Sequence, residues 1–407
     1  MVINNRYHRK NFSSPFIVFL LLLSGLLFQL MVGGVGRKSF TSLLYIAVFL
    51  YYLPNRDFRK IALSSPMLVW IVLAVYHTTN AIIRHVPNFD LPDVLVRMKI
   101  YCSIVIFAYL LTKNFKGTLK YIFYALATWL TIGLFYAGYH SDERLAGEGL
   151  IAVQFGKSAA VMGICGIYLT IFNYKQLIWV ILRLLYPMLF ILLSQTRQAL
   201  GMVTIQFIGY YFAFIMQLKI NFRSIVLLAI GIFFAYNGYT YLMDETGLGT
   251  RIQDDIEEVD ISHERELYST GTSFDYIAGE RIYYYVVGAE IFKEHPLTGI
   301  GLDNFKPYTG GDFPMHVEWM VHLAEGGIIA FVLYVTFLVL LFITILRSNG
   351  IMPMKVMRYF TLCVLLFSAS FASSYEQEIP VILYSFILSA MCFSSTSTRV
   401  LTKSTPK

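Results

Sequence analysis

Residues 328–346 read IIAFVLYVTFLVLLFITIL, nineteen residues without a charged side chain. A helix of about 20 apolar residues crosses the hydrocarbon core of a bilayer, so this stretch alone predicts a transmembrane helix. The same character continues outward along the chain, in which 57% of the 407 residues are hydrophobic and 14% are charged. Soluble domains carry about 25% charged residues. The composition therefore predicts an all-α membrane protein and excludes a disordered chain, a disulfide-built secreted domain and an ordinary soluble enzyme.

The apolar segments divide the chain into a membrane bundle and one large polar region. We predict about twelve transmembrane helices with one large extracytoplasmic loop at 243–323. The loop separates helices one to nine, in residues 1–242, from helices ten to twelve, in residues 324–407. The twelve predicted spans are 15–33, 40–53, 66–82, 94–112, 121–139, 151–171, 177–193, 199–217, 224–242, 324–346, 359–374 and 379–395.

The basic residues set the orientation of these spans. With both termini inside, the short inner segments carry 18 Lys and Arg residues, whereas the outer segments carry 10, five of them in the long loop. Because Lys and Arg concentrate in short cytoplasmic loops, we predict cytoplasmic N and C termini. Topology then explains the net charge of +7, and we expect no nucleic-acid partner.

The second half of the large loop carries the most informative pattern. Residues 282–294 have apolar side chains at positions 282, 286, 289 and 292, which is typical of an amphipathic helix on the outer membrane face. His295 and Pro296 would end this helix. Gly299 and Gly301 follow and predict a tight turn whose backbone closely approaches another segment. The pair lacks the third glycine and the βαβ unit of a nucleotide-binding loop.

His316 is the candidate general base. Pro314 precedes it and a helical apolar pattern follows, so we expect His316 in the first turn of the tenth span. The positive end of a helix dipole favours neutral imidazole, which is the form that a general base needs. His322 is a rival for the same role. The alternative for His316 is a hydrogen-bonded helix cap or an interfacial residue.

Three arginines on the predicted outer side are candidate ligands for phosphate: Arg144, Arg197 and Arg281. An arginine presents a planar fork of donors that matches phosphate oxygens. Near the bilayer edge each is a functional candidate, although snorkelling to the interface is the alternative for each one alone. No Asp-x-Asp run accompanies them, and the four cysteines lie in apolar spans without metal-ligand spacing. We therefore expect glycosyl transfer from a polyprenyl-diphosphate donor, without a metal or another cofactor.

Four blocks of residues resemble the O-antigen ligase and polymerase superfamily of bacterial inner-membrane glycosyltransferases. They are SQTR at 194–197, GER at 279–281, EHPLTGIGLDNF at 294–305, and His316 followed by EGG at 325–327. The resemblance implies a multi-pass protein of the inner (plasma) membrane, surrounded by membrane lipids. It also implies that His316 is the catalytic base and that Arg197 and Arg281 bind the diphosphate of an undecaprenyl-linked glycan.

The acceptor is left open by the sequence. A glycan acceptor would make the protein a polymerase of O-antigen, capsule or exopolysaccharide, and a lipid core would make it an O-antigen ligase. His316 and Gly327 match the ligase spacing, but Val317 and Ala330 depart from it, which favours a polymerase slightly. A transporter or flippase of lipid-linked saccharides is the alternative from another class, although the chain shows no internal repeat. In a cell-wall polymerase of the shape and division type, Asp303 would be the carboxylate to examine.

Overall fold

The computed structural model describes residues 14–31, 35–84, 86, 91–137, 152–172, 177–194, 196–215, 281–310, 315, 317–348, 352–371 and 378–392. Within these ranges every regular element is helical, which confirms the all-α prediction. The helices are α1 (Ser14–Met31), α2 (Val35–Tyr52), α3 (Arg56–Ala62), α4 (Ser65–Ile83), α5 (Leu91–Lys113), α6 (Phe115–Ala137), α7 (Ala152–Phe172), α8 (Leu177–Ser194), α9 (Arg197–Ile215), α10 (Arg281–Glu294), α11 (Phe305–Thr309), α12 (Glu318–Met320), α13 (Gly327–Arg347), α14 (Met352–Phe371) and α15 (Glu378–Leu388). A π-helical turn, Val321–Glu325, lies between α12 and α13, and a 3-10 turn, Ser389–Cys392, follows α15.

The predicted spans and the observed helices agree closely. Eleven of the twelve predicted spans coincide with a helix, and the remaining one, 224–242, lies outside the described residues. Among the described helices, five are long and apolar enough to cross a membrane: Ser65–Ile83, Val94–Lys113, Phe115–Phe135, Gly327–Arg347 and Met352–Ser370. The total of twelve spans and the large extracytoplasmic loop stay predictions.

Two helices form the centre of the bundle. In α5 every residue from 102 to 111 is buried, and in α7 every residue from 155 to 170 is buried. A helix that is buried on every face belongs to the interior of a bundle. α5 packs against α2 and α15, α7 packs against α6, α8 and α9, and α9 packs along α14. Peripheral helices such as α4 and α13 keep apolar side chains exposed on one face, as expected for helices that contact lipid.

Two structural details are not visible from apolar spacing alone. α10 buries Tyr284, Gly288 and Ile291, whereas the predicted apolar positions 286, 289 and 292 are partly exposed. The buried face is set by packing of α10 on α12 and on the π-helical turn, which apolar spacing alone does not reveal. Among the cysteines, Cys102 and Cys165 are buried, but Cys363 is exposed because it lies on the outward face of α14.

The tenth span begins later than predicted. α12 begins at Glu318 after the extended residue Val317, and the π-helical turn follows it. Gly327, the first residue of α13, has a left-handed conformation at φ +67°. A left-handed residue redirects the chain, and glycine adopts that conformation without strain. His316 itself lies outside the described residues, so its expected position in the first turn of the span stays a prediction.

Residues 281–327 contact one end of the bundle. Side chains at the end of α4, at the start of α5 and at the end of α14 all contact residues of this segment. In the predicted topology these three span ends all face outward. The long-range contacts and the charge distribution are thus consistent with one another.

Candidate functional site

The loop that follows α10 is bound to the turn that precedes α13. The N–H groups of Ile300 and Gly301 donate to carbonyl oxygens of the turn 324–328 at 3.1 and 2.9 Å. In the opposite direction, the N–H of Ile328 donates to the Pro296 carbonyl at 2.9 Å. The prediction that the glycine pair closely approaches another segment is confirmed, and this turn is that segment.

Gly299 and Gly327 make the pairing possible. Both are left-handed, at φ +66° and +67°. A Cβ on Gly299 would lie closer than 3.0 Å to the backbone of Glu325, and a Cβ on Gly327 would lie equally close to the backbone of Leu297. Real Cβ atoms essentially never approach a backbone so closely. Both positions therefore require glycine for their conformation and for the space around them.

Glu325 fixes the far end of the loop. Its buried carboxylate accepts from the N–H of Asp303 at 3.0 Å and from the N–H of Phe305 at 3.1 Å. Asp303, at φ 64°, pairs in turn with the buried Arg97 of α5 at 3.5 Å. Burial, followed by the charge of Asp303, raises the pKa of Glu325, while the two N–H donors and Arg97 act in the opposite direction. Glu325 and Asp303 together thus connect the loop, the π-helical turn and α5.

α4 supports the same turn from the membrane side. The Tyr76 hydroxyl donates to the Gly326 carbonyl at 2.8 Å. The Asn80 amide donates to the carbonyls of Thr298 at 2.6 Å and Glu325 at 3.3 Å. Buried backbone carbonyls that a turn removes from helical pairing need other donors, and these two side chains of a membrane span supply them.

His322 lies in the interior, between α4 and α13. Its Nδ1 is 3.0 Å from Nε2 of His77, and its ring stacks on Tyr334 with the centroids 4.1 Å apart. Burial lowers the pKa of His322 to about 3. A neutral imidazole can donate from one nitrogen and accept at the other, as the contact with a second histidine requires. The imidazole of His322 is therefore part of the packing between these helices.

Three chain segments meet at the last turn of α14. The Gln198 amide, in the first turn of α9, donates to the carbonyl and hydroxyl oxygens of Ser368 at 3.0 and 3.1 Å. The Tyr285 hydroxyl, one turn into α10, donates to the Ser370 carbonyl at 3.4 Å. The Trp319 indole, in α12, donates to the Ser370 hydroxyl at 3.2 Å. The beginnings of α9, α10 and α12 therefore lie around the same end of α14.

The predicted site residues belong to these three segments or lie outside the described residues. Arg197 and Arg281 are the first residues of α9 and α10, and their side chains are outside the described part of the chain. His316 and Arg144 are outside it altogether. His316 is two residues from the start of α12, and the chain that follows it is anchored to Ser370 through Trp319.

Sequence reasoning missed the residues that hold the site together. His77 and Asn80 are polar residues three positions apart in an apolar span, and this spacing could have identified a face of α4 that contacts protein. Glu325 was noted as part of a motif, but its hydrogen bonds to two backbone N–H groups depend on a loop twenty residues away. Among the described residues, no three His, Cys, Asp or Glu side chains are grouped so that they could hold a metal ion.

Comparison with known proteins agrees with the resemblance noted in the sequence. The family model described as O-antigen ligase matches residues 149–335, a range that contains all four of the resembling blocks. No curated protein matches the chain. Over residues 149–335 the chain is therefore similar to the O-antigen ligase family, as the four blocks of residues predict.

Proposed function

We propose that the protein is an inverting, metal-independent glycosyltransferase of the bacterial inner membrane. Its donor is a glycan linked to undecaprenyl diphosphate, and its acceptor is a glycan or a lipid at the outer face of the membrane. The family supports a glycosyltransferase of O-antigen ligase or polymerase type, and the particular donor, acceptor and residues are our proposal.

The meeting of three segments at Ser368 and Ser370 carries this proposal. Gln198, Tyr285 and Trp319 hold the starts of α9, α10 and α12 at one end of α14. Arg197 precedes Gln198 directly, Arg281 precedes Tyr285 by one helical turn, and His316 precedes Trp319 by three residues. Residues far apart in the chain but held by a common anchor can act on one substrate.

Arg197 and Arg281 are proposed to bind the diphosphate, with Arg144 as a third cation. Each of the first two opens a helix. The free N–H groups of a helix N-terminus and an arginine side chain both favour phosphate. Because arginine stays charged at all relevant pH values, it can stabilise the developing charge on the leaving diphosphate without a metal.

His316 is proposed as the general base. Its imidazole removes the proton from the acceptor hydroxyl as the oxygen attacks the anomeric carbon, and the bond from that carbon to the diphosphate oxygen breaks. Undecaprenyl diphosphate leaves, and the configuration at the anomeric carbon inverts. We assign a packing role to the rival His322, because its ring has no exposed surface through which an acceptor could reach it.

Single substitutions test these roles through surface polysaccharide and lipid-linked intermediates. We expect His316→Ala to lower the rate of transfer by about 10²–10⁴-fold, the usual contribution of a general base. Arg281→Ala and Arg197→Ala should each lower it by about 10²–10³-fold, as for other groups that stabilise transition-state charge. Arg59→Ala, which removes an exposed arginine from α3, is the matched control and should leave transfer unchanged.

The intermediates that accumulate distinguish the alternatives. Lipid-linked single units at the outer face are expected for the enzyme, whereas accumulation at the cytoplasmic face alone would favour a flippase. Loss of long chains with one unit still attached indicates a polymerase, and loss of all attachment indicates a ligase. A chelator should leave the purified enzyme active, and activity that is lost and then restored by Mg²⁺ would overturn metal independence.

A further inference from the structure

A cavity opens at the end of α4, on the membrane side of the loop. Its volume is about 290 Å³. It is lined by Tyr76, Thr79, Asn80, Ile83, Arg84 and Thr298. These six residues supply one guanidinium, three hydroxyls and an amide, and none of them is a carboxylate. Such a lining suits an anion that carries further oxygen atoms.

Arg84 is held in position from two directions. Its Nη2 donates to the Thr298 hydroxyl at 2.7 Å. Its stem lies against Gly301, where an added Cβ would come within 3.2 Å of the Arg84 Cβ. A guanidinium has five N–H donors, so donors remain for a ligand at this exposed side chain. An arginine that is already oriented loses less conformational freedom on binding than an unrestrained one.

The face of α4 next to the cavity is apolar on both sides of Thr79. Its exposed apolar residues lie along one side of the helix; they are Leu68, Val72, Val75, Ile82 and Ile83. α4 is long and apolar enough to span a membrane, so this surface lies against lipid chains. Thr79 interrupts the surface where the cavity opens. A ligand with a phosphate in the cavity and a hydrocarbon chain along α4 would fit both parts.

We propose that this cavity binds the phosphodiester headgroup of an anionic membrane phospholipid. One arginine matches the single negative charge of a phosphodiester. A diphosphate carries more charge and is better matched by the paired Arg197 and Arg281. The bound lipid stabilises the turn 324–328, because Tyr76 and Asn80 both line the cavity and donate to carbonyls of that turn. The site does not depend on the proposed transferase activity.

Native mass spectrometry of the full chain, purified in neutral detergent and titrated with phosphatidylglycerol, tests this site. Losing a charge-assisted hydrogen bond should weaken the tightest binding step about tenfold in Arg84→Ala. Arg84→Lys keeps the charge but not the fork, and Thr298→Val removes the hydroxyl that orients the guanidinium. Each should weaken binding by about three- to fivefold. Arg59→Ala should leave the tightest step unchanged.

The control lipids distinguish recognition of the phosphate from binding through the acyl chains alone. Diacylglycerol, which has the chains without the phosphate, should not occupy the tightest site. Equal binding of diacylglycerol, or an equal effect of Arg84→Ala and Arg59→Ala, would overturn the proposal. Displacement of phosphatidylglycerol by a tenfold lower concentration of undecaprenyl phosphate would overturn the assignment to a phospholipid. If Arg84→Ala does not fold, the Thr298→Val and Arg84→Lys titrations provide the same comparison.

Discussion

Replacing Gly327 by alanine should show whether glycine is required there for its left-handed backbone conformation alone or also because no space is left for a side chain. Gly327 and Gly310 have nearly the same left-handed conformation, at φ +67° and +68°. A Cβ on Gly310 would meet nothing within 4 Å, whereas a Cβ on Gly327 would collide with the backbone of Leu297 and Thr298. A side chain in this conformation costs about 1–2 kcal/mol. Forcing extra atoms into a packed region adds about 1–3 kcal/mol.

We therefore expect Gly310→Ala to lower the free energy of unfolding by about 1–2 kcal/mol and Gly327→Ala by about 2–5 kcal/mol. Denaturant-induced unfolding of the purified variants in mixed micelles, followed by helical circular dichroism, measures the difference. Gly327→Ala should also reduce chain extension in cells, because the loop 296–301 must move away from the turn. Equal losses of stability in the two variants would show that conformation alone accounts for Gly327, and would refute the close approach.

Two further perturbations test contacts on opposite sides of the protein. Glu325→Gln should destabilise the fold by about 1–3 kcal/mol, since a carboxamide can accept from one but not both of the N–H groups of Asp303 and Phe305. Glu325→Ala should destabilise the fold more. An unchanged unfolding midpoint in both variants would contradict the role given to this carboxylate. On the predicted cytoplasmic side, a hydrogen bond from Lys113, followed by its charge, lowers the pKa of Asp57. The pair is exposed, so it contributes at most about 1 kcal/mol. A depressed pKa means that this stability is present above the unfolded-state pKa and is lost as the pH falls through the folded-state value. The difference in midpoint between the wild type and Asp57→Asn should therefore be small at neutral pH and vanish in acid; a difference that grows on acidification would contradict the pairing.

The helices of the bundle could be predicted from the sequence because the features that determine them are local. A run such as 328–346 can be predicted as a transmembrane helix without knowledge of its neighbours, since about twenty apolar residues are long enough to span the bilayer. The ends of α4 and α10 were also predicted well, because Pro296 and the change to polar residues are local features. The face that a helix buries is different. Tyr284, Gly288 and Ile291 of α10 are buried because distant segments pack on them, among them α12 and the π-helical turn.

The site shows the same division. The glycine pair predicted a close approach, since an unusual backbone position can be read from the residue that permits it. What the pair would approach was not predictable, because the partner is the turn at Gly327, about twenty-five residues later. The network of Arg97, Asp303 and Glu325 also joins residues separated by as many as 228 positions. None of these three residues is unusual in the sequence, and they come together only in the folded protein.

The role proposed for His316 depends on how the chain that follows it is anchored. A residue that accepts a proton from a mobile acceptor must stay accessible, so it cannot be fixed by burial as His322 is. The chain fixes the residues around it instead: Trp319 is bound to Ser370, and the turn at Glu325 is bound both to α4 and to the loop. Buried hydrogen bonds resist displacement because breaking one leaves an unpaired polar group. The segment 317–327, which directly follows His316 in the sequence, is therefore held at both ends. On this reasoning, substitutions at Asn80 or Tyr76 should impair transfer even though neither residue is among those proposed to bind the substrate; transfer measured at wild-type rates in both variants would contradict it.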